Sequence, residues 1–277
     1  MLSLKQHLLY RLEHVWGGHV LAFLIKQAWA ALFGGLLLIG IILSHYIHLP
    51  VMARYDWLFL WAVIVQISML VFRLERPREV VTILLFHLVG LGMELYKTSG
   101  AIGSWIYPET NVIRLAGVPL FSGFMYAAVG SYIARAWRVL NLRFTHYPRR
   151  IWTLALALLI YLNFFTHHYV WDLRLGLFAG LAVLYWRTSV SFMLIKHQHS
   201  MPLLVGFVLI AAVIWLAENV ATYMNVWLYP DQAYGWHVVG IGKLGSWLLL
   251  MVISFVMIDC LHAVYRRRSL DATMHRD

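Results

Sequence analysis

Apolar residues arrive along the chain in runs of about twenty, and each run closes on a short link rich in Arg, Gly, Pro or Trp. The runs fall at 27–48, 55–74, 79–98, 114–137, 150–168, 173–194, 202–222 and 238–264. A helix needs about 20 mostly apolar residues to cross the ~30 Å hydrocarbon layer, whereas a barrel strand needs about 10 in alternation. The runs match the helix. The pattern predicts an all-α fold, a polytopic membrane helix bundle of about eight transmembrane helices. The link from Tyr169 to Asp172 is short for two full spans, so it reads either as a turn or as a kink.

Residues 1–26 follow another rule. Leu4, Leu8, Leu12 and Val15 recur at helical spacing among Lys5, Arg11, Glu13, His14 and Lys26, which predicts an interfacial amphipathic helix. No small-residue cleavage site precedes the first span, so a removable leader is not expected. Residues 265–277 form a basic tail.

The two halves echo each other. Ser44-His45 matches Thr166-His167, Trp105-Ile-Tyr-Pro-Glu109 matches Trp227-Leu-Tyr-Pro-Asp231, and Gly123 matches Gly245, all 122 positions apart; Glu94 and Glu218 are 124 apart. An even number of spans per unit orients both units alike. The expected architecture is therefore two parallel four-helix repeats, residues 27–138 and 150–264, about an axis along the membrane normal.

Charge orients the bundle. With the N-terminus in the cytoplasm, 17 of the 22 Lys and Arg fall on the inner side, and Arg54, Lys97, Arg114, Arg174 and Lys243 remain outside. This bias predicts a multi-pass protein of the bacterial cytoplasmic (inner) membrane with both termini cytoplasmic. Composition agrees: 62% of residues are hydrophobic, 12% are charged, and the mean hydropathy is +0.73. The net charge of +10 sits in short links rather than on one face, which argues for topology signals and against nucleic acid as a partner. The single cysteine, Cys260, excludes a disulfide framework within one chain.

In that topology the outer ends of the spans gather polar groups. Glu94, His167, His168, Asp172 and Glu218 are the candidate catalytic groups, with His87 two turns from Glu94 along the same helix. Carboxylates with histidine partners suit proton transfer, and ionisable groups in membranes point to function by default. Asn163 and Thr166 share a helix face with His167, and Thr222 shares one with Glu218; together with Lys97, Arg174 and Asn219 at the same depth they are candidate binding residues. Trp105, Tyr107, Trp227 and Tyr229, in the outer links, read either as an aromatic belt or as lids over a cavity for a polyene, quinone or lipid tail. No metal ligand is assigned, because successive helical side chains diverge by about 100° and no HExxH motif is present. The sequence indicates no particular cofactor. Asp259 is expected to pair with a basic group such as Arg135 near the inner face.

The segments Glu94-Leu-Tyr-Lys97, Gly103-Ser-Trp-Ile-Tyr-Pro-Glu109, Pro119-Leu-Phe-Ser-Gly-Phe-Met-Tyr126, Asn163-Phe-Phe-Thr-His-His168 and Trp215-Leu-Ala-Glu-Asn219 resemble the YoaT-like family of uncharacterised bacterial integral membrane proteins, over residues 75–265. The resemblance implies a membrane location and supplies no activity. A fainter likeness is to membrane carotenoid cyclases and hydratases. It rests on an acid closing a helix ahead of a Trp-x-aromatic link, Glu94 with Trp105-Ile-Tyr107 and Glu218 with Trp227-Leu-Tyr229. The paired glutamates that follow a proline in the cyclases are absent after Pro119, where Leu120, Phe121 and Ser122 stand.

Three functions fit the pattern. The first is an enzyme doing acid/base chemistry on a lipid or isoprenoid, the second a small-solute or proton-coupled transporter, and the third a membrane scaffold or assembly protein. The expected partners are membrane lipids and, for the first reading, a hydrophobic small-molecule substrate.

Overall fold

The computed structural model describes residues 17–47 and 50–274, the side chains of 77–78 and 266–274 excepted. In chain order these form α1 (Gly18–Ala30), α2 (Leu32–Tyr46), α3 (Arg54–Val71), α4 (Pro77–Lys97), β1 (Arg114–Leu115), β2 (Val118–Pro119) and α5 (Ser122–Val139). There follow β3 (Arg143–Thr145), α6 (Arg150–Thr166), α7 (Arg174–Tyr185), β4 (Ser189–Leu194), β5 (His197–Pro202), α8 (Leu203–Tyr223), a 3-10 turn (Pro230–Gln232) and α9 (Gly242–Met274).

Among the described residues, four helices are long and apolar enough to cross a bilayer, namely α3, α4 from Glu79, α8 and α9 as far as Tyr265; α1 and α2 pass the same test as one span bent by 71°. Helices α6 and α7 are apolar but shorter, at 17 and 12 residues. At 1.5 Å per residue α7 rises only about 18 Å, short of the hydrocarbon thickness. The described residues are thus mostly helical, with four or five candidate spans whose length and composition suit a membrane protein.

The bend falls at Ala31, inside the run expected as the first span, and a carbonyl beside it finds a side-chain donor: Arg135 Nη2 donates to Trp29 O at 2.7 Å. Lys26 Nζ, from α1, donates to Met193 O at 2.7 Å and to Val139 O at 3.3 Å, which ties the broken helix to β4 and to the end of α5. Unsatisfied backbone groups are what an apolar environment tolerates least, so the Arg135 contact helps the break persist. Of the expected amphipathic helix, residues 1–16 lie outside the described residues, as does His48.

The all-α expectation needs two amendments. Residues 114–119, placed in a span by their hydropathy, form the β1–β2 hairpin, turning through Ala116 and Gly117 at φ 46° and 86°. A positive φ at both central residues gives the tight turn whose twist suits a hairpin. Residues 189–194, expected to complete the span begun at 173, are instead the middle strand of an antiparallel sheet, β3-β4-β5, with Ser189 opposite Pro202 and Leu194 opposite His197. Link 167–173 is a turn between packed helices α6 and α7 rather than a kink.

Helix α5 runs through the middle, packing on α1, α2, α4 and α9, and protein on every side lets it carry polar groups. Ser131 Oγ donates to Glu75 Oε1 at 2.5 Å, and the buried Arg135 lies over the Trp29 ring at 5.4 Å. Arg135 is therefore not the partner expected for Asp259. That carboxylate takes Arg150 Nε at 3.3 Å, because α6 rather than α5 presents its basic first turn there.

The β1–β2 hairpin is pinned by one side chain. Asp56, buried at the start of α3, accepts from the backbone N–H groups of Ile113 (2.7 Å) and Val112 (3.0 Å) and from Asn111 Nδ2 (3.3 Å). Asp56→Ala is expected to cost about 2 kcal/mol and to raise amide hydrogen exchange across 110–119, with little change in the bundle. Exchange unchanged from the parent would refute this anchoring role.

Candidate functional site

At one end of the bundle, two links form a roof. Link 98–113 follows α4 and link 224–241 follows α8. They meet where Ile106 and Leu228 exchange both backbone hydrogen bonds, each 2.9 Å. Beside this bridge Trp105 lies edge-on to Tyr229, ring centroids 6.2 Å apart.

Each roof link is fastened to a glutamate. Glu94, in the last turn of α4 and 2% exposed, accepts at Oε2 from Trp105 Nε1 (2.9 Å) and Tyr107 OH (2.8 Å), and at Oε1 from Tyr126 OH (2.9 Å) on α5. Glu218, on α8 and also buried, accepts from Tyr229 OH at 2.5 Å and from Trp247 Nε1 on α9 at 2.7 Å. Indole N–H is a donor only, so both carboxyl groups are committed as acceptors. In each case the following link and the following helix both supply donors, two and one for Glu94 and one each for Glu218. The glutamates thereby hold the roof to the bundle.

Beside Glu94 lies a cationic group. Lys97, 3% exposed, places Nζ 2.7 Å from His168 Nε2 and 3.5 Å from His167 Nε2, with the Phe164 ring centroid at 4.4 Å. His167 Nδ1 stands 2.9 Å from Asn163 O. A carbonyl accepts only, so Nδ1 carries the proton and Nε2 turns its lone pair toward Lys97. Asn163 in turn accepts the Leu173 N–H (2.9 Å) and donates to Asp172 (3.3 Å), tying the turn after α6 to the start of α7. Asp172 receives Arg174 Nε at 2.5 Å. Partial burial works against ionisation of Asp172, but hydrogen bonds from the Arg174 backbone and guanidinium and from Asn163 outweigh it and hold the carboxyl below the usual carboxylate range.

Under the roof is a chamber of about 1280 Å³. Its lining begins at Glu94, Lys97, Trp105, Asn163, His167, His168, Arg174, Glu218, Trp227 and Tyr229, and ends at Phe23, Leu24 and Gln27 of α1 and Met201 of β5. Between these ends the walls are almost wholly apolar, from Leu37, Leu38 and Ile41 on α2 to Leu209, Ile210 and Val213 on α8. The volume exceeds the ~300–1,000 Å³ usual for small-molecule pockets.

Five expected site residues stand away from this lining. Tyr107 faces Glu94 from the roof, Thr166 turns back to Leu162 O (2.9 Å), and Asp172 serves the α6–α7 turn. Asn219 fixes the second link by accepting the Val239 N–H (2.8 Å), and Thr222 accepts Trp236 Nε1 (3.1 Å). His237, unassigned by the sequence, sits between the carbonyls of Val238 (3.2 Å) and Asp231 (3.1 Å), which push its pKa up.

Three residues of the site were missed. Tyr126 and Trp247 complete the glutamate clamps, and Lys243 stands with Nζ 3.9 Å from the Tyr229 ring centroid and 5.7 Å from that of Trp105. Lys243 and Trp247 are four apart on α9, a shared face that was legible. Nothing in the sequence alone tied that face to Glu218. Among the described residues, no group of three or more His, Cys, Asp or Glu side chains is gathered as a metal ion requires.

The family model described as "Protein of unknown function (DUF817)" matches residues 19–255. The "Uncharacterized protein YoaT" of Bacillus subtilis (strain 168) is 41% identical over 249 residues, covering 90% of this chain and 94% of that protein. No solved structure matches the chain. Similarity of this extent, running through both roof links and the glutamates beneath them, places the chain in the DUF817 family of proteins of unknown function.

Proposed function

We propose that this protein is an enzyme of the bacterial inner membrane that takes a lipid or isoprenoid into the chamber and does acid/base chemistry at its roofed end. The observation that carries the reading is the chamber itself, with apolar walls and one polar end where Lys97, His167 and His168 share hydrogen bonds beside two clamped glutamates. An ammonium donating to neutral imidazoles is a ready proton-transfer pair. Lys97 and His168 are assigned that role. Glu94 and Glu218 act through the aromatic donors they orient, closing the site against water.

The reciprocal bridge joins residues 122 apart, and the two glutamates carry parallel sets of aromatic donors. Both features support a pseudo-twofold relation between the halves, with the roof on the outer side and both termini cytoplasmic. On this reading α6 and α7 are the counterparts of α2 and α3.

The test is a lipid and pigment profile, by mass spectrometry, of cells lacking the gene and of the same cells carrying wild-type, Lys97→Met or His168→Ala protein. Loss of the gene is expected to shift the ratio of one apolar species to its product at least tenfold, and wild type alone to restore it. An unchanged profile in the deletion strain overturns the enzyme reading.

One observation favours a second reading. The chamber continues from the roof to α1 and β5 at the far end, as a path for a transported solute would. Movement of an unaltered amphiphile between leaflets of proteoliposomes would put transport in place of catalysis. A scaffold predicts no such interior space, and the chamber counts against it.

A further inference from the structure

The polar end of the chamber presents two lysines for which, among the described residues, no carboxylate lies within ion-pair distance. Lys97 is buried and touches only imidazole nitrogens and aromatic faces. Lys243, which lines the same chamber, lies on the Tyr229 and Trp105 rings, and Glu218 and Asp231 act on it only from beyond ion-pair distance. The carboxylates facing this end are otherwise engaged. Glu94 and Glu218 spend their oxygens on Trp and Tyr donors, Arg174 is taken by Asp172, and Asp231 stands beside His237. Charge buried away from water is costly unless it is paired, and Lys97 feels both Lys243 and Arg174 as like charges, only partly offset by Asp172. An incoming anion relieves that cost, and the apolar walls below accept only a hydrocarbon.

We infer that the chamber binds an amphiphile with an anionic head group, its head held between Lys97 and Lys243 and its chain lying along the apolar walls toward α1. The inference rests on the chamber reading proposed above and adds the sign and the place of the head group. The Trp105 and Tyr229 faces position Lys243 by cation–π contact, so the site is shaped before the ligand arrives. A soluble anion would gain the lysines but leave the apolar walls uncovered.

Binding of oleyl phosphate, oleyl alcohol and inorganic phosphate to the full-length protein in nanodiscs tests the inference, read by native mass spectrometry and by quenching of tryptophan fluorescence. Oleyl phosphate is expected to bind about tenfold or more tightly than oleyl alcohol, the worth of one charge-assisted hydrogen bond. Lys97→Gln and Lys243→Gln should each erase most of that preference while oleyl alcohol still binds, and the arginine variants should keep it. Equal binding of the alcohol and the phosphate overturns the anionic head group and leaves the chamber standing. Inorganic phosphate binding as tightly as oleyl phosphate overturns the amphiphile in favour of a soluble anion. Loss of both oleyl ligands in the glutamine variants also overturns it, since the lysines would then be holding the chamber open. Failure of all three probes on wild-type protein removes the chamber reading itself.

Discussion

Glu94→Ala is expected to destabilise the protein by about 4 kcal/mol, the largest loss from any single truncation at the site. The substitution removes the acceptor for Trp105 Nε1, Tyr107 OH and Tyr126 OH together. Each buried donor left without a partner costs about 1–3 kcal/mol, and three stranded together, each near the lower figure because two are only partly buried, give the total. Glu94→Gln should cost far less. Its carbonyl oxygen still serves Trp105 and Tyr107, and its amide donates to Tyr126, whose hydroxyl also accepts. Glu218→Ala strands only Tyr229 and Trp247, so it falls between the two. Thermal or denaturant unfolding in one detergent, run on all three variants, checks the order. An alanine variant as stable as the glutamine variant would mean that the roof is held by something other than its carboxylate.

The same clamp explains which parts of the site were legible beforehand. Glu94, Lys97, His167 and His168 stood out because ionisable groups in apolar runs are rare and costly, a property of the one-dimensional sequence. Tyr126, Lys243 and Trp247 did not stand out. Tyrosine and tryptophan are ordinary residues of a membrane belt, and one lysine near a span end reads as a topology signal. Only the packing of α5 against α4 and of α9 against α8 brings them onto the glutamates. Asn219 and Thr222 illustrate the converse. They share the turn that carries Glu218, but their side chains hold the second roof link rather than face the chamber.

The fold divides in the same way. Runs as long and uniform as those of α3, α4, α8 and α9 were readable because length and hydropathy together identify a crossing helix. Residues 173–194 were misread as one span because hydropathy does not separate a short apolar helix followed by a strand from a single long helix. Ser189, Ser191, Thr188 and the turn at Ile195 and Lys196 carried the strand signal, spread over too few positions to outweigh the average. At Ala31 the break had no Pro or paired Gly at the bend itself, and what stabilises it, Arg135, lies more than a hundred residues away.

A methyl group at Gly90 is expected to be worse for the site than its size suggests. Gly90 lies one turn before Glu94 on α4, and a Cβ there would stand 2.4 Å from Tyr126 Cγ and 2.5 Å from Tyr126 Cβ. Those atoms are close to the α5 backbone and cannot swing aside, so the helices must part. The same seam is close elsewhere: a Cβ on Gly130 would stand 2.8 Å from Phe86 and one on Gly123 2.6 Å from His87, which gives it little slack. Overpacking of this kind costs about 1–3 kcal/mol, against a gain of about 1 kcal/mol when alanine replaces glycine in a helix. With contacts this short the cost falls at the upper end, so Gly90→Ala should lose about 2 kcal/mol net, whereas Gly92→Ala, whose Cβ meets nothing within 4 Å, should gain up to about 1 kcal/mol. Parting the helices also lengthens the bond from Tyr126 OH to Glu94, so Tyr126→Phe should cost less in the Gly90→Ala background than in wild type. A double-mutant cycle in stability measures that coupling. Strict additivity would separate the α4–α5 seam from the glutamate clamp, whereas the expected coupling makes the close approach of these two helices the condition for holding Glu94 in place.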